Sequence, residues 1–249
     1  MKSSGLGMKL YLMGYDMSGD VGAINTMRSS MAVLDVTAID GTTHERIPGL
    51  RDGEITFSVF FNSATGETHD YLATLPTTDV LCMVLTSTTA GQPVICLTAK
   101  QVNYDWQRNA DGSMLGTVQL LAASGIPLEY GLLLTSKVTH ASADDETGID
   151  FGAQTTAGAI GYLQHFSAAS GTVEYDLEDS SDSTTGADGS WANLGAFTDV
   201  ATPYAPTAQR ISISGTVERW VRASTSGTCT NASVAMAFRR RRATDYDAA

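Results

Sequence analysis

The sequence predicts an all-β protein, and three observations carry that prediction. The 249 residues include 24 glycines among many serines and threonines, a composition that gives frequent turns and short strands. Residues 54–61 alternate, with Ile55, Phe57, Val59 and Phe61 on one face and only Phe60 out of step, which is the period of a half-buried strand. A single segment, residues 66–75, reads as a helix. Its acids Glu67 and Asp70 sit in the first turn, where the helix dipole favours them. Tyr71, Leu72 and Leu75 form its apolar stripe, and Pro76 stops it.

The other strands follow in order. Residues 9–13, 31–39, 79–86, 94–106 and 114–121 are strand candidates, punctuated by Gly, Asp and Asn. Residues 139–148 are small, polar and acidic and read as a connection. Beyond it the pattern restarts at 160–166, 172–177, 209–214, 217–223 and 232–238, with a long polar loop at 179–190. The expected division is therefore a first domain over 1–140, a linker over 141–148, a second β-sandwich over 149–238 and a terminal tail over 239–249.

Composition removes several functions. Hydrophobic residues make up 43% of the chain, enough for sizeable cores. No run of 18 apolar residues occurs, and the first residues lack an apolar signal-peptide core, so folding in the cytoplasm and no membrane partner are expected. The net charge of −12 argues against gripping nucleic acid, because phosphate binding needs Lys and Arg. Arg239, Arg240, Arg241 and Arg242 form the one basic run and read as a solvated tail or as partners for a neighbour's acids. Cys82, Cys96 and Cys229 are too few and too widely spaced for a disulfide framework or a zinc site, and read as small buried hydrophobes.

The chain also lacks the marks of catalysis. His44, His69, His140 and His165 show no two-histidine metal spacing and neighbour no nucleophile motif. Residues 14–22 are glycine-rich but lack the Lys of a phosphate loop. Asp179, Asp182 and Asp188 could offer oxygens to Ca²⁺, but their spacing is not that of an EF-hand, and a solvated loop is the simpler reading. No catalytic residue, cofactor or metal is assigned, and the chain reads as non-enzymatic. Residues 43–53, rich in charge and turn formers, are expected to form a loop at a subunit contact through Arg46, Arg51 and Asp52.

Several segments recur in a familiar order. They are Gly14-Tyr15-Asp16-Met17-Ser18-Gly19-Asp20, Leu34-Asp35-Val36-Thr37-Ala38-Ile39-Asp40, the stretch from His44 to Ile55, then Phe57 and Phe60-Phe61-Asn62. The short helix and Ala99-Lys100-Gln101-Val102-Asn103-Tyr104-Asp105 follow. Over residues 8–135 the chain resembles the major tail-tube proteins of long-tailed bacteriophages. That resemblance implies a β-sandwich or partial barrel with one flanking helix. It also implies hexameric rings stacked into a virion tail tube, with a tape-measure protein and a tail terminator as partners. DNA would pass through the tube without specific binding. Polar strand faces around 100–105 and 117–119 are the candidates for the lumen.

The second domain would decorate the tube exterior as a jelly-roll or immunoglobulin-like sandwich. It lacks the Cys…Trp…Cys spacing of antibody domains, and its segments around Trp191 and Trp220 look more like a discoidin-type jelly roll. An alternative function follows: a surface decoration or adhesion module binding a glycan, with Trp191 stacking on a sugar ring. A polysaccharide-degrading enzyme would need two facing carboxylates, and no spacing singles out such a pair.

Overall fold

The computed structural model describes residues 5–242. In chain order the elements begin with β1 (Lys9–Leu12), β2 (Tyr15–Asp16), β3 (Val21–Asp35), β4 (Arg46–Phe60) and α1 (Thr68–Leu72). Next come β5 (Val80–Leu85), β6 (Pro93–Arg108), β7 (Met114–Ala122), β8 (Glu129–His140), β9 (Asp144–Asp145) and β10 (Ile149–Asp150). The chain continues with β11 (Ala159–Ser167), β12 (Val173–Ser180), β13 (Ala192–Ala196), β14 (Thr207–Ile213), β15 (Trp220–Gly227) and β16 (Ala232–Arg240). The fold is all-β, with one short helix.

Contacts divide the chain into two compact units. One holds the residues up to Gly19, Leu81–Cys96 and everything from Tyr130 on; the other holds Asp20–Val80 and Leu97–Glu129. This division runs elsewhere than the cut expected at 141–148. Within that segment Asp144 and Asp145 pair with Thr225 and Ser224, and the Glu146 amide donates to the Ala223 carbonyl at 2.9 Å. The acidic stretch looks like a linker by composition, but its backbone is taken up as the short strand β9.

In the first unit a sheet runs β14–β11–β16–β8 and continues through the start of β6 to β5, β1 and β2. A second sheet runs β10–β15–β12–β13, with β9 on β15. Strands β11 and β16 are mostly apolar without alternation, and both of their faces are buried. Leu163, Val234, Met236 and Phe238 face the second sheet and pack with Tyr175, Leu177, Val221 and Ala223. Ile160, Tyr162, Phe166, Ala235 and Ala237 face the other way and pack with Tyr11, Met83, Leu85, Val94 and Cys96. Side chains of this size contribute about 1.5–3 kcal/mol each when fully buried. All three cysteines are buried thiols outside any disulfide, and burial pushes the Cys82 pKa up to about 12.

One polar side chain fastens the roll. Gln164, fully buried on β11, accepts from the Gly14 amide at 2.7 Å and donates to the Leu81 carbonyl at 3.0 Å. Gly14 turns β1 into β2 at φ +80°, and a Cβ there would lie 2.2 Å from the His165 carbonyl oxygen, so only glycine fits.

The second unit is an antiparallel sheet in the order β3–β4–β7–β6. Ile55, Phe57, Val59, Val118 and Leu120 are buried, as the period-2 pattern of β4 requires. Helix α1 is tied to β6, where the Gln101 amide donates to the Leu72 carbonyl at 2.8 Å. It is half the expected length. Ala73 caps it and Leu75 takes a left-handed φ of +43°, so the turn is complete before Pro76 is reached.

Candidate assembly surfaces

The β3–β4 pair outruns its sheet. β4 pairs with β7 only over Glu54–Phe60, whereas its ladder with β3 runs on to Leu34↔Ile47 and Asp35↔Arg46. The far half is a two-stranded ribbon, and β3 pairs with β4 alone. Such a ribbon is marginal in water by itself, and its free edge is a template for another strand. It is also apolar in the wrong place: Met31, Val33, Leu34, Ile47 and Leu50 are exposed along it, and Val36 and Ile39 in the loop beyond. An acid organises that loop. Asp35 accepts from the Thr37 amide at 3.0 Å and meets His44 Nδ1 at 2.7 Å, and the Thr37 hydrogen bonds hold its carboxyl below the ordinary value.

Arg46, Arg51 and Asp52 lie on this ribbon, all exposed. The structure places them in strand β4, not in the loop expected over 43–53. Pro48 and Gly49 carry turn chemistry, but Pro48 pairs with Val33, and Gly49 and Leu50 fall in the register shift beside it, where Gly49 comes close to Ala32. Bulges tolerate Pro and Gly where a regular ladder would not.

A polar face covers one side of the same unit. Directly opposed residues share a face, so Arg28, Glu54, Leu121 and Lys100 form one row, Thr56, Gln119 and Asn103 the next, and Ser58, Thr117 and Asp105 a third. Its charges are paired internally. Arg28 meets Glu54 at 2.7 Å, the Gln119 amide donates to Glu54 at 2.6 Å, and Lys100 meets Asp79 at 2.8 Å. The Gln119 hydrogen bond, helped by Thr56 and Arg28, holds the Glu54 carboxyl below its ordinary value. Strand alternation pointed to 100–105 and 117–119. Arg28, and Asn25, whose amide donates to Ser58 Oγ at 2.8 Å, were missed, because β3 has no clear period there.

At the opposite end of β4 from the ribbon tip, four rings cluster. Phe61 stands 4.9 Å from Trp106 and 4.7 Å from His69, Tyr104 stands 4.9 Å from Trp106, and His69 Nδ1 lies 3.1 Å from the Tyr104 hydroxyl. Sequence reasoning missed this cluster. Its available signal was Tyr104 and Trp106 two apart on one strand, hence on one face.

In the first unit, Trp191 donates its indole N–H to the Asp188 carbonyl at 3.1 Å, and the Arg222 guanidinium lies 4.5 Å from its ring centroid. A cation therefore already holds the ring that a sugar was expected to stack on. The carboxylates considered for Ca²⁺ are used by their own loop. Asp188 accepts from Ser183, Thr184 and Thr185, which holds it far below the usual carboxylate range, and Asp182 accepts from Ser180 and the Ser190 amide. Asp179 is buried, is pushed up by that burial, and accepts from the Glu218 amide at 2.8 Å. Among the described residues no group of His, Cys, Asp and Glu is placed to hold a metal, and no helix is long and apolar enough to cross a membrane.

The arginine run differs from the expected tail. Arg239 and Arg240 complete β16, and residues 243–249 lie outside the described residues. The Arg240 guanidinium donates to the carbonyls of Ala153, Val217 and Glu218 and lies 5.0 Å from the Phe151 ring centroid. Arg241 donates to Ser212 Oγ at 2.6 Å. Arg240 thus closes backbone carbonyls, and Arg241 a strand hydroxyl, of their own unit.

No protein-family model matches the chain, and no curated protein matches it. Among solved structures, the tail of an empty GTA particle with C6 symmetry aligns at 16% identity, covering 52% of this chain and 98% of that one, with a TM-score of 0.39. The SPP1 Dit (gp 19.1) protein, a hub of the adsorption apparatus in phages infecting Gram-positive hosts, aligns at 11% identity over 93% of this chain and 98% of its own, with a TM-score of 0.32. A chain of the phage p2 baseplate in its activated conformation aligns at 6% identity over 94% and 98%, with a TM-score of 0.31. These are likenesses of low score, and none of them decides the function of this chain.

Proposed function

We propose that this protein is a non-enzymatic structural component of a phage-type tail, whose copies self-assemble into hexameric rings that stack as a tube. The β3–β4 ribbon carries the reading. A two-stranded ribbon with an open edge and exposed apolar side chains on both faces is marginal in water by itself, and a neighbouring copy would cover it.

The polar face of the β3–β4–β7–β6 sheet suits the lumen of such a tube. Its Ser, Thr, Asn and Gln side chains offer no cation free to hold a phosphate, since Arg28 and Lys100 are both paired. DNA carries about one negative charge per 1.7 Å, and a net charge of −12 repels it. The resemblance of residues 8–135 to tail-tube proteins supports the same reading and brings the tape-measure protein and the tail terminator as partners. The chain beyond residue 148 would then face the tube exterior. Negative-stain microscopy of the purified protein, with its mass measured by light scattering, tests the proposal. Rings or tubes are the expected result, and a monomer at every concentration would refute it.

A further inference from the structure

The chain changes sheets after β8, and a buried histidine sits at the crossing. His140 ends the ladder between β8 and β16, where it pairs with Ala232. Four residues on, β9 lies on the other sheet, with Asp144 opposite Thr225 and Asp145 opposite Ser224 on β15. One edge of β15 is bound by β12, and the other is covered only by β9 and β10. The three acids of the crossing have different partners. Asp145 is held by Ser224 and by Arg222, which also meets Glu178 at 2.6 Å. Asp144 and Glu146 stand against His140. Lys137, the nearest cation on β8, is engaged with Asp16.

Both ring nitrogens of His140 face a carboxylate. Nδ1 stands 3.2 Å from Asp144 and Nε2 3.4 Å from Glu146, which also accepts from the Thr135 hydroxyl at 2.9 Å. A neutral imidazole carries one N–H, so it would turn a lone pair on one of the two acids. Only the imidazolium offers a proton to each. Glu146, then Asp144, accordingly raise the pKa of the ring above its ordinary 6.5, against the effect of burial. We propose that His140 is a proton-operated latch: its charged ring pins residues 141–147 so that β9 stays on β15, and loss of the proton releases β9. The Glu146 amide, which donates to the Ala223 carbonyl at 2.9 Å, is released with it. The edge of β15 at Ser224 and Thr225 then presents unpaired backbone groups, a template for another strand. Charge sets the direction. The latch holds below the raised pKa of His140 and opens as pH rises through it, and it also weakens below about pH 4, where the two carboxylates take up protons themselves.

Hydrogen exchange read by mass spectrometry tests the latch on the full chain, from about pH 6 to about pH 8.5, with rates corrected for the intrinsic effect of pH. The protection of residues 141–148 should fall by roughly tenfold over that range, the equivalent of one pKa unit of coupling. Residues 232–238 of β16 should stay unexchanged throughout the labelling time. His140→Gln, which cannot take the charge, should show no such fall. Exchange of the His140 ring C2 proton, read from the same samples, should give a pKa above 6.5. Glu146→Gln should lower that pKa and move the fall in protection to lower pH with it. A flat profile in the wild type would overturn the proposal. So would exchange of 232–238 in step with 141–148, which would make the opening global, or a fall that survives in His140→Gln. If His140→Gln does not fold, Glu146→Gln decides, and an unshifted profile in it overturns the latch.

Discussion

Strands β16 and β4 make a useful pair. Both are antiparallel strands joined to a neighbour on each side by ladders in which register shifts occur. In β16 every residue from Ala232 to Phe238 is buried, with alternate side chains entering two different cores. In β4 only the half that pairs with β7 is buried, and the half from Arg46 to Asp52 is open to solvent on both faces. A ladder alone therefore does not decide whether a strand is held in place. β16 is held by what packs above and below it. The outer half of β4 is left open on both faces, and on the proposed reading a neighbouring copy would hold it.

The comparison breaks most severely if the chain is cut at His140. That removes β11 and β16, whose Ile160, Tyr162, Ala235 and Ala237 share a core with Tyr11, Met83 and Leu85. A fragment ending at His140 should show no cooperative unfolding transition for that core. A fragment that unfolds cooperatively would favour the independent first domain that composition suggests. Next in size is Phe238→Ala, which should cost about 3–5 kcal/mol in urea denaturation, the range for emptying a buried aromatic site. Gln164→Ala leaves the Gly14 amide buried without its acceptor and should cost about 1–3 kcal/mol.

A smaller effect depends on pH. His140 is buried with Nδ1 3.2 Å from Asp144 and Nε2 3.4 Å from Glu146, the latter an ion-pair contact without hydrogen-bond alignment. Thr135 also donates to Glu146, while Arg222 and Ser224 hold Asp145. Glu146, then Asp144, raise the His140 pKa above its ordinary 6.5 against the effect of burial. A group whose folded pKa is raised contributes stability that is full below its unfolded value and is lost as pH rises through the folded one. Urea midpoints taken from about pH 5 to about pH 8 should therefore show a fall in the wild type that His140→Gln lacks.

The buried strands were legible in the sequence because segments such as 160–166 and 232–238 are predominantly apolar on both faces and so read as strands in any register. β8 was not, since its burial follows no single period: Leu133 and Leu134 enter different cores, and polar residues interrupt it. The ribbon was misread for a related reason. Arg46, Pro48, Gly49, Arg51 and Asp52 carry turn chemistry, and only the long-range pairing with β3 makes them a strand. At the candidate site, the alternation of β6 and β7 revealed the polar face. The ring cluster needed the fold, because Phe61, His69 and Trp106 come from three separate elements.

The smallest stability effect and the most direct test belong to the ribbon itself. Leu34→Ser should leave the unfolding free energy of the monomer within about 0.5 kcal/mol of the wild type, since the side chain touches mostly water. The decisive measurement is amide hydrogen exchange over β3 and the outer half of β4, in dilute monomer and in assembled protein. The account predicts rapid exchange from Met31 to Asp35 in the monomer and strong protection on assembly, with β16 protected in both states. Equal protection of the ribbon in monomer and assembly would contradict the claim that a neighbouring copy completes it.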